Sequence, residues 1–260
     1  MTAMTDTLDG SERRIGLVRP TNMRELGGIP AAAGRFVRRG LVYRAGGLHQ
    51  LGEPDIATVS ALGIGTLVDL RTFKELEAHG VPDARLAPDR RHLPMIPDVW
   101  DLRPLDEGEP LEDYFCERYE EMLDHGQPAI ATTLALLSGR HGDRRSLAYF
   151  CAAGKDRTGV MTAVLLRLLE VDDETIVADY VLSGPEVARL IEQMGDRERW
   201  TSERMGGGGP PRLLAAPAAV MRRFLTRLAA GPELAQRFGL SASGLTELRE
   251  QLLVASPDRA

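Results

Sequence analysis

Lysine is nearly missing from this 260-residue chain: of 32 basic residues, only Lys74 and Lys155 are lysine, and the rest are arginine. Cysteine is as scarce, with Cys116 and Cys151 separated by 35 positions. A single pair so spaced builds neither a disulfide framework nor a zinc site, and it suits a reducing compartment where a thiol stays free. Five scattered histidines, His49, His79, His92, His125 and His141, form no ligand cluster, so no metal and no cofactor is expected. They read as surface residues, with His92 nearest a pocket. The formal net charge of -6 argues against nucleic acid as a partner. An anionic substrate would have to be drawn by a local positive pocket, against the overall field. No run of 18 apolar residues occurs, and the first residues are polar without the apolar stretch of a signal peptide. The expectation is a soluble cytoplasmic protein with no transmembrane segment, with signal-less secretion left open.

What is present is an ordinary globular balance, 43% hydrophobic and 27% charged, able to bury a sizeable core. Within it, Cys151-Ala152-Ala153-Gly154-Lys155-Asp156-Arg157-Thr158-Gly159 sets a thiol six residues before an arginine, across a small-residue loop. Arginine is so common here that a bare match of this kind falls by accident at about one cysteine in nine, so context must decide. An apolar run, Ser146 to Phe150, reads as a buried strand entering the loop, and Thr158 to Glu170 is apolar on nearly every face, as a central buried helix is. Strand, glycine loop and helix make an oxyanion cradle. Gly154 can take positive φ, Ala152 to Arg157 bind phosphate through backbone amides and side chains, and the helix dipole points at the same spot. That field favours the thiolate of Cys151, while the Arg157 fork grips two phosphate oxygens. This is the arrangement of a cysteine-dependent phosphatase. Thr158 is a candidate to reach back to the sulfur, with helix capping as the alternative. A nucleotide-binding Gly-Lys-Ser/Thr loop is excluded, because Asp156 follows the lysine and Tyr149 holds the required glycine position.

The loop resembles that of the bacterial PtpB-like tyrosine phosphatase family. Asn22-Met23-Arg24-Glu25-Leu26-Gly27-Gly28, Arg39-Gly40-Leu41-Val42-Tyr43-Arg44-Ala45, Leu62-Gly63-Ile64, Val68-Asp69-Leu70-Arg71 and Ile176-Val177-Ala178-Asp179-Tyr180 resemble its other segments, in order, from about residue 20 to 182. The resemblance implies a phosphatase-like α/β fold, a largely parallel sheet flanked by helices. It also implies a phosphocysteine intermediate and a phosphorylated protein or phosphoinositide substrate, with phosphate, sulfate or vanadate as inhibitory anions. Two carboxylates are candidate acids for the leaving group: Asp156, where the family has its proposed acid, and Asp98, after Leu93-Pro94-Met95-Ile96-Pro97. Each has a structural alternative, an ion pair for Asp156 and a cap or turn for Asp98. Lys155 adds a compact charge suited to a second phosphate or the ester oxygen, or is a solvated loop residue. Phe150 departs from the family's histidine before the nucleophile, which is expected to weaken activity and leaves a phospholigand-binding pseudophosphatase as a second reading. A thiol reductase or sulfurtransferase on a related loop is a third and weaker one, because Cys116 is poorly motivated as a resolving thiol.

The remaining chain reads as a hairpin over Ile29 to Arg44, a helix over Asp55 to Leu62, a strand over Gly65 to Leu70 and a helix over Pro128 to Leu137. Ala216 to Ala229 and Ser243 to Val254 read as closing helices. The expected organisation is a flexible N-terminus to residue 15, then one domain over 16–260, with a helical lid inserted at about 184–212. In that insertion the amphipathic Pro185 to Met194 precedes a charged stretch and a four-glycine hinge.

Overall fold

Three short runs of fully buried residues build the middle of the central sheet between more exposed edge strands, and their alternation decides what faces each layer. The structure, a computed structural model, describes residues 10–19, 21–99, 108–139, 146–193 and 214–256. Five strands lie in the order β1 (Arg24–Glu25), β4 (Val42–Gly46), β7 (Leu147–Cys151), β5 (Thr66–Asp69) and β6 (Asp89–His92). Only the β1–β4 pair is antiparallel; the other three pairs are parallel. Their register sets Gly46 beside Cys151 and Asp69 beside Phe150, so the carboxyl ends of three strands share one edge.

Side chains in β7 alternate between two apolar layers, as the two-residue period of a strand requires. Leu147, Tyr149 and Cys151 belong to the larger cluster, and Ala148 and Phe150 to the smaller. The smaller layer takes in Ile56 and Val59 of α1 (Glu53–Ser60). The larger is organised by α5 (Asp156–Leu168), of which 11 residues are buried. Around it pack α3 (Leu111–His125), α6 (Asp173–Val181) and α9 (Gly231–Arg237), while α8 (Ala218–Arg227) lies across α3 and α6. The remaining α-helices among the described residues are α2 (Phe73–His79), α4 (Gln127–Leu137), α7 (Ser183–Gln193) and α10 (Ala242–Leu252). The hairpin turns at Ala33 and Gly34, both with positive φ, but it is shorter than its pattern suggested. Its strands β2 (Pro30–Ala31) and β3 (Arg35–Val37) join β8 (Leu253–Val254) in a small second sheet, while β4 enters the main one.

The expectation of a flexible N-terminus to residue 15 changes for its last residues. Residues 10–15 are anchored: Gly10–Arg13 forms a 3-10 turn, Arg14 bridges to Arg24, and Arg13 is buried. The cause is an ion pair inside the fold, Arg13 with Asp179 at 2.9 Å. Residues 1–9 lie outside the described residues. So does 194–213, which holds most of the expected lid, yet a Cβ on Gly184 would stand 3.6 Å from the Ala216 amide nitrogen. No helix among the described residues is long and apolar enough to cross a membrane.

Leu165, with no exposed surface in the middle of α5, tests the weight of this helix. Leu165→Ala is expected to cost about 3 kcal/mol, read as a lower urea midpoint at unchanged slope.

Candidate active site

Cys151 ends β7 and is buried at 2% exposure, while Ala152 and Ala153 beside it are half-buried. The Gly154 amide donates to Cys151 Sγ at 3.2 Å. Its direction is set from behind. Asn22 Nδ2 donates to the Ala153 carbonyl at 3.5 Å and to the Gly154 carbonyl at 2.8 Å, and Arg44 Nη2 donates to the Gly154 carbonyl at 2.8 Å. In a planar trans peptide the C=O and the following N–H point opposite ways. Holding those two carbonyls outward turns the amides of Gly154 and Lys155 inward. Gly154 itself has φ +67, and Gly46 lets β4 approach: a Cβ on Gly46 would sit 2.4 Å from the Gly154 nitrogen.

Beneath the loop lies a buried ionic cluster. Asp179 of α6 accepts from Arg13 at 2.9 Å, Arg24 at 3.0 Å and Arg44 at 2.6 Å. Arg24 also bonds the Asn22 side chain, which holds that residue in its left-handed backbone at φ 53. Burial disfavours the Asp179 charge, but three guanidiniums outweigh it and hold the carboxyl well below its usual range. Arg24 shows the opposing strain: burial and the charge of Arg44 draw it down to about 10 despite Asp179. Three cations on one carboxylate leave a positive excess under the loop, which supplies the local attraction that a net-negative chain lacks elsewhere.

Arg157 stands in the first turn of α5, and Glu75 grips it with both oxygens, at 2.5 and 2.8 Å. Glu75 is also half of a capping box with Thr72 at the start of α2, which begins just past the carboxyl end of β5. Burial pushes the Glu75 carboxyl up, yet the hydrogen bonds and charge of Arg157, with the Thr72 amide, bring it down to about 2. Burial opposes the Arg157 charge; Glu75, Cys151 and then Asp156 more than restore it.

The remaining candidates separate. Asp156 accepts from the Tyr119 hydroxyl at 2.7 Å and lies 3.4 Å from Lys155 Nζ. Asp98 pairs with Lys74 at 2.6 Å, with both side chains more than half exposed. Thr158 Oγ1 donates to the Ala45 carbonyl at 3.3 Å, so its proton is directed at β4 and not at the sulfur. Lys155 is neither solvated nor directed at the cradle's mouth. Its ammonium is buried, 3.0 Å from the Ala215 carbonyl and 4.9 Å from the centre of the Phe115 ring, because the returning segment closes over it. Phe150 packs in the layer opposite Cys151, with the Arg71 guanidinium 5.4 Å from its ring centre. His49 is no surface residue: both ring nitrogens are buried without partners, and burial together with Arg71 draws it down to about 4. His92 is half-buried, its Nε2 2.8 Å from the Arg71 carbonyl oxygen. Among the described residues no group of acidic, histidine or cysteine side chains could hold a metal.

A model of the tyrosine phosphatase family matches residues 15–254. The chain belongs to that family. A protein of Cupriavidus necator whose name places it among the tyrosine-protein phosphatases is 28% identical over 179 residues, 65% of this chain and 63% of the relative. A tyrosine-protein phosphatase of Nostoc commune is 30% identical over 159 residues, 60% of this chain and 52% of the relative. The triple specificity protein phosphatase PtpB of Mycobacterium tuberculosis is 27% identical over 198 residues, 64% of this chain and 70% of the relative. The match thus spans less than two thirds of the first of these relatives and about half of the second.

Glu75, Tyr119 and Tyr180 were missed as site residues in the sequence. Glu75 could have been found from Thr72-x-x-Glu75, a capping box directly after Asp-Leu-Arg, and Tyr119 from the helical spacing of Tyr114, Phe115, Tyr119, Met122 and Leu123. In this family member, Glu75→Gln is expected to loosen Arg157 and to raise KM for an aryl phosphate about tenfold. The sign of its pH effect follows from a lowered carboxyl. Glu75 stabilises the fold fully above its unfolded value near 4.5 and loses that contribution as pH falls toward about 2. Acid titration of stability should therefore be shallower in Glu75→Gln than in the parent over that window.

Proposed function

We propose that this chain is a cysteine-dependent phosphomonoester hydrolase acting on phosphotyrosine and related protein phosphate esters through a phosphocysteine intermediate. The observation that carries the reading is the pairing of an inward amide on the Cys151 sulfur with an Arg157 held rigid by Glu75. In the first step the Sγ–P bond forms as the P–O bond breaks, and the leaving oxygen takes a proton from an acid. In the second, water attacks phosphorus, the S–P bond breaks, and the acid regains a proton from that water. Inward amides and Arg157 hold the three outer oxygens throughout, where charge accumulates.

Asp156 is the acid this geometry favours. It belongs to the first turn of α5 beside Arg157, whereas the charge of Asp98 is already met by Lys74 in the exposed loop after β6. Phe150 argues less for a pseudophosphatase than the sequence suggested, since its ring lies across the sheet from the sulfur and the cradle is braced by Asn22 and Arg44 instead. We infer a lid role for the insertion between Gly184 and Ala216 from its end, where the Ala215 carbonyl accepts from Lys155 of the loop. Buried, unpaired thiols at Cys116 and Cys151 suit a reducing compartment such as the cytoplasm. Phosphoinositides remain candidate substrates, with phosphate, sulfate and vanadate as competing anions.

Hydrolysis of p-nitrophenyl phosphate tests the reading. Turnover should be inhibited by vanadate and undetectable in Cys151→Ser; an inactive parent rescued by Phe150→His would instead establish a phospholigand-binding protein. With phenyl phosphate, Asp156→Asn should lose about 100-fold in kcat while Asp98→Asn stays within about threefold. The reverse order would assign the acid to Asp98.

A further inference from the structure

Asp156 does not stand alone. The Tyr119 hydroxyl donates to its Oδ1 at 2.7 Å and lies 2.8 Å from the Tyr180 hydroxyl. A phenol has one proton, and that of Tyr119 is committed to the carboxylate, so Tyr180 is the donor in the second contact. The result is a directed chain, Tyr180 to Tyr119 to Asp156. Both phenols are buried, and burial, reinforced by the Asp156 charge, raises both so that they keep their protons.

The rings are fixed by packing that has no other evident purpose at this site. Tyr119 meets Phe224 of α8 edge-on at 5.5 Å and Phe115 at 5.8 Å. Tyr180 lies over Gly159, where a Cβ would come within 3.2 Å of its Cδ2. The glycine that ends the loop motif therefore makes room for the second phenol. Tyr119 and Lys155 both approach Asp156 through Oδ1, so an acidic proton on this carboxyl belongs on Oδ2. The side chain is about a quarter exposed, at 28%.

We propose that Tyr119, backed by Tyr180, is a positioning residue for the leaving-group acid, holding Oδ1 so that the proton is presented from Oδ2. The proposal rests on Asp156 being that acid, as put forward above. It predicts a burden that grows with the basicity of the leaving group. A p-nitrophenolate departs with little help, whereas a phenolate needs the proton.

The test compares kcat for p-nitrophenyl phosphate and phenyl phosphate in the parent, Tyr119→Phe, Tyr180→Phe and Asp156→Asn, with melting temperatures alongside. Tyr119→Phe should lower the first about twofold and the second about twentyfold, with Tyr180→Phe between it and the parent. Each change removes one oxygen and keeps the ring, so packing is retained. An equal loss on both esters, or none on either, overturns the proposal and gives the tyrosines a purely structural role. A leaving-group effect missing from Asp156→Asn in an active parent also overturns it, while the phosphatase reading stands. A parent inactive on both esters removes the two together.

Discussion

The site depends on which way two peptide groups face. The carbonyls of Ala153 and Gly154 are held outward by Asn22 and Arg44, and planarity leaves the adjoining amides no direction but inward. A loop of small residues has many conformations in isolation, so this orientation is imposed by the fold. The imposing residues come from the chain's first fifth, more than a hundred positions from the loop they hold. The motif by itself specifies a nucleophile; the distant arginine and asparagine specify a cradle.

Electrostatics follow the same division of labour. Arg157, the proposed grip on phosphate, is balanced by Glu75, which bonds both of its terminal nitrogens. Behind the loop, three arginines on one aspartate keep a positive potential that no solvent screens. Such a cluster is costly to bury, and the cost is met by hydrogen bonds to carbonyls as well as to the carboxylate. This accounts for arginine in these positions, because lysine offers no planar fork with which to bond two partners at once.

Much of the fold was legible in the sequence because the elements around Cys151 are apolar runs of unambiguous period. The strand over Gly65 to Leu70, the strand into the loop and the buried helix after it are read from residues 65 to 70 and 146 to 170, while the pairing of β5 with β7 emerges only in the fold. Harder to read were elements whose burial is carried by polar or charged residues. Helix α3 mixes three aromatic residues with six acids, and β4 buries Arg44 completely, so hydropathy alone gave neither its due. The candidate site was legible in the sequence for the placement of Cys151, Gly154 and Arg157 on one strand end, loop and first helical turn. It was not for Thr158 and Lys155, whose side chains are directed by contacts with Ala45 and Ala215 that no local pattern records. The resembling segments had no mechanism in the sequence; in the fold, Asn22, Arg24, Arg44 and Asp179 are one connected group.

Asp179 and Tyr180 are neighbours in α6, yet one secures the cradle's underside and the other backs the carboxyl beside it. Adjacent helical residues point about 100° apart, so a single rotation of this helix phases both supports. Gain or loss of one residue between the Asp172 cap and Asp179 would swing the pair off target together. The first two turns of α6 thus act as a spacer whose length, as well as its buried Ile176 and Val177, sets the angle of both supports.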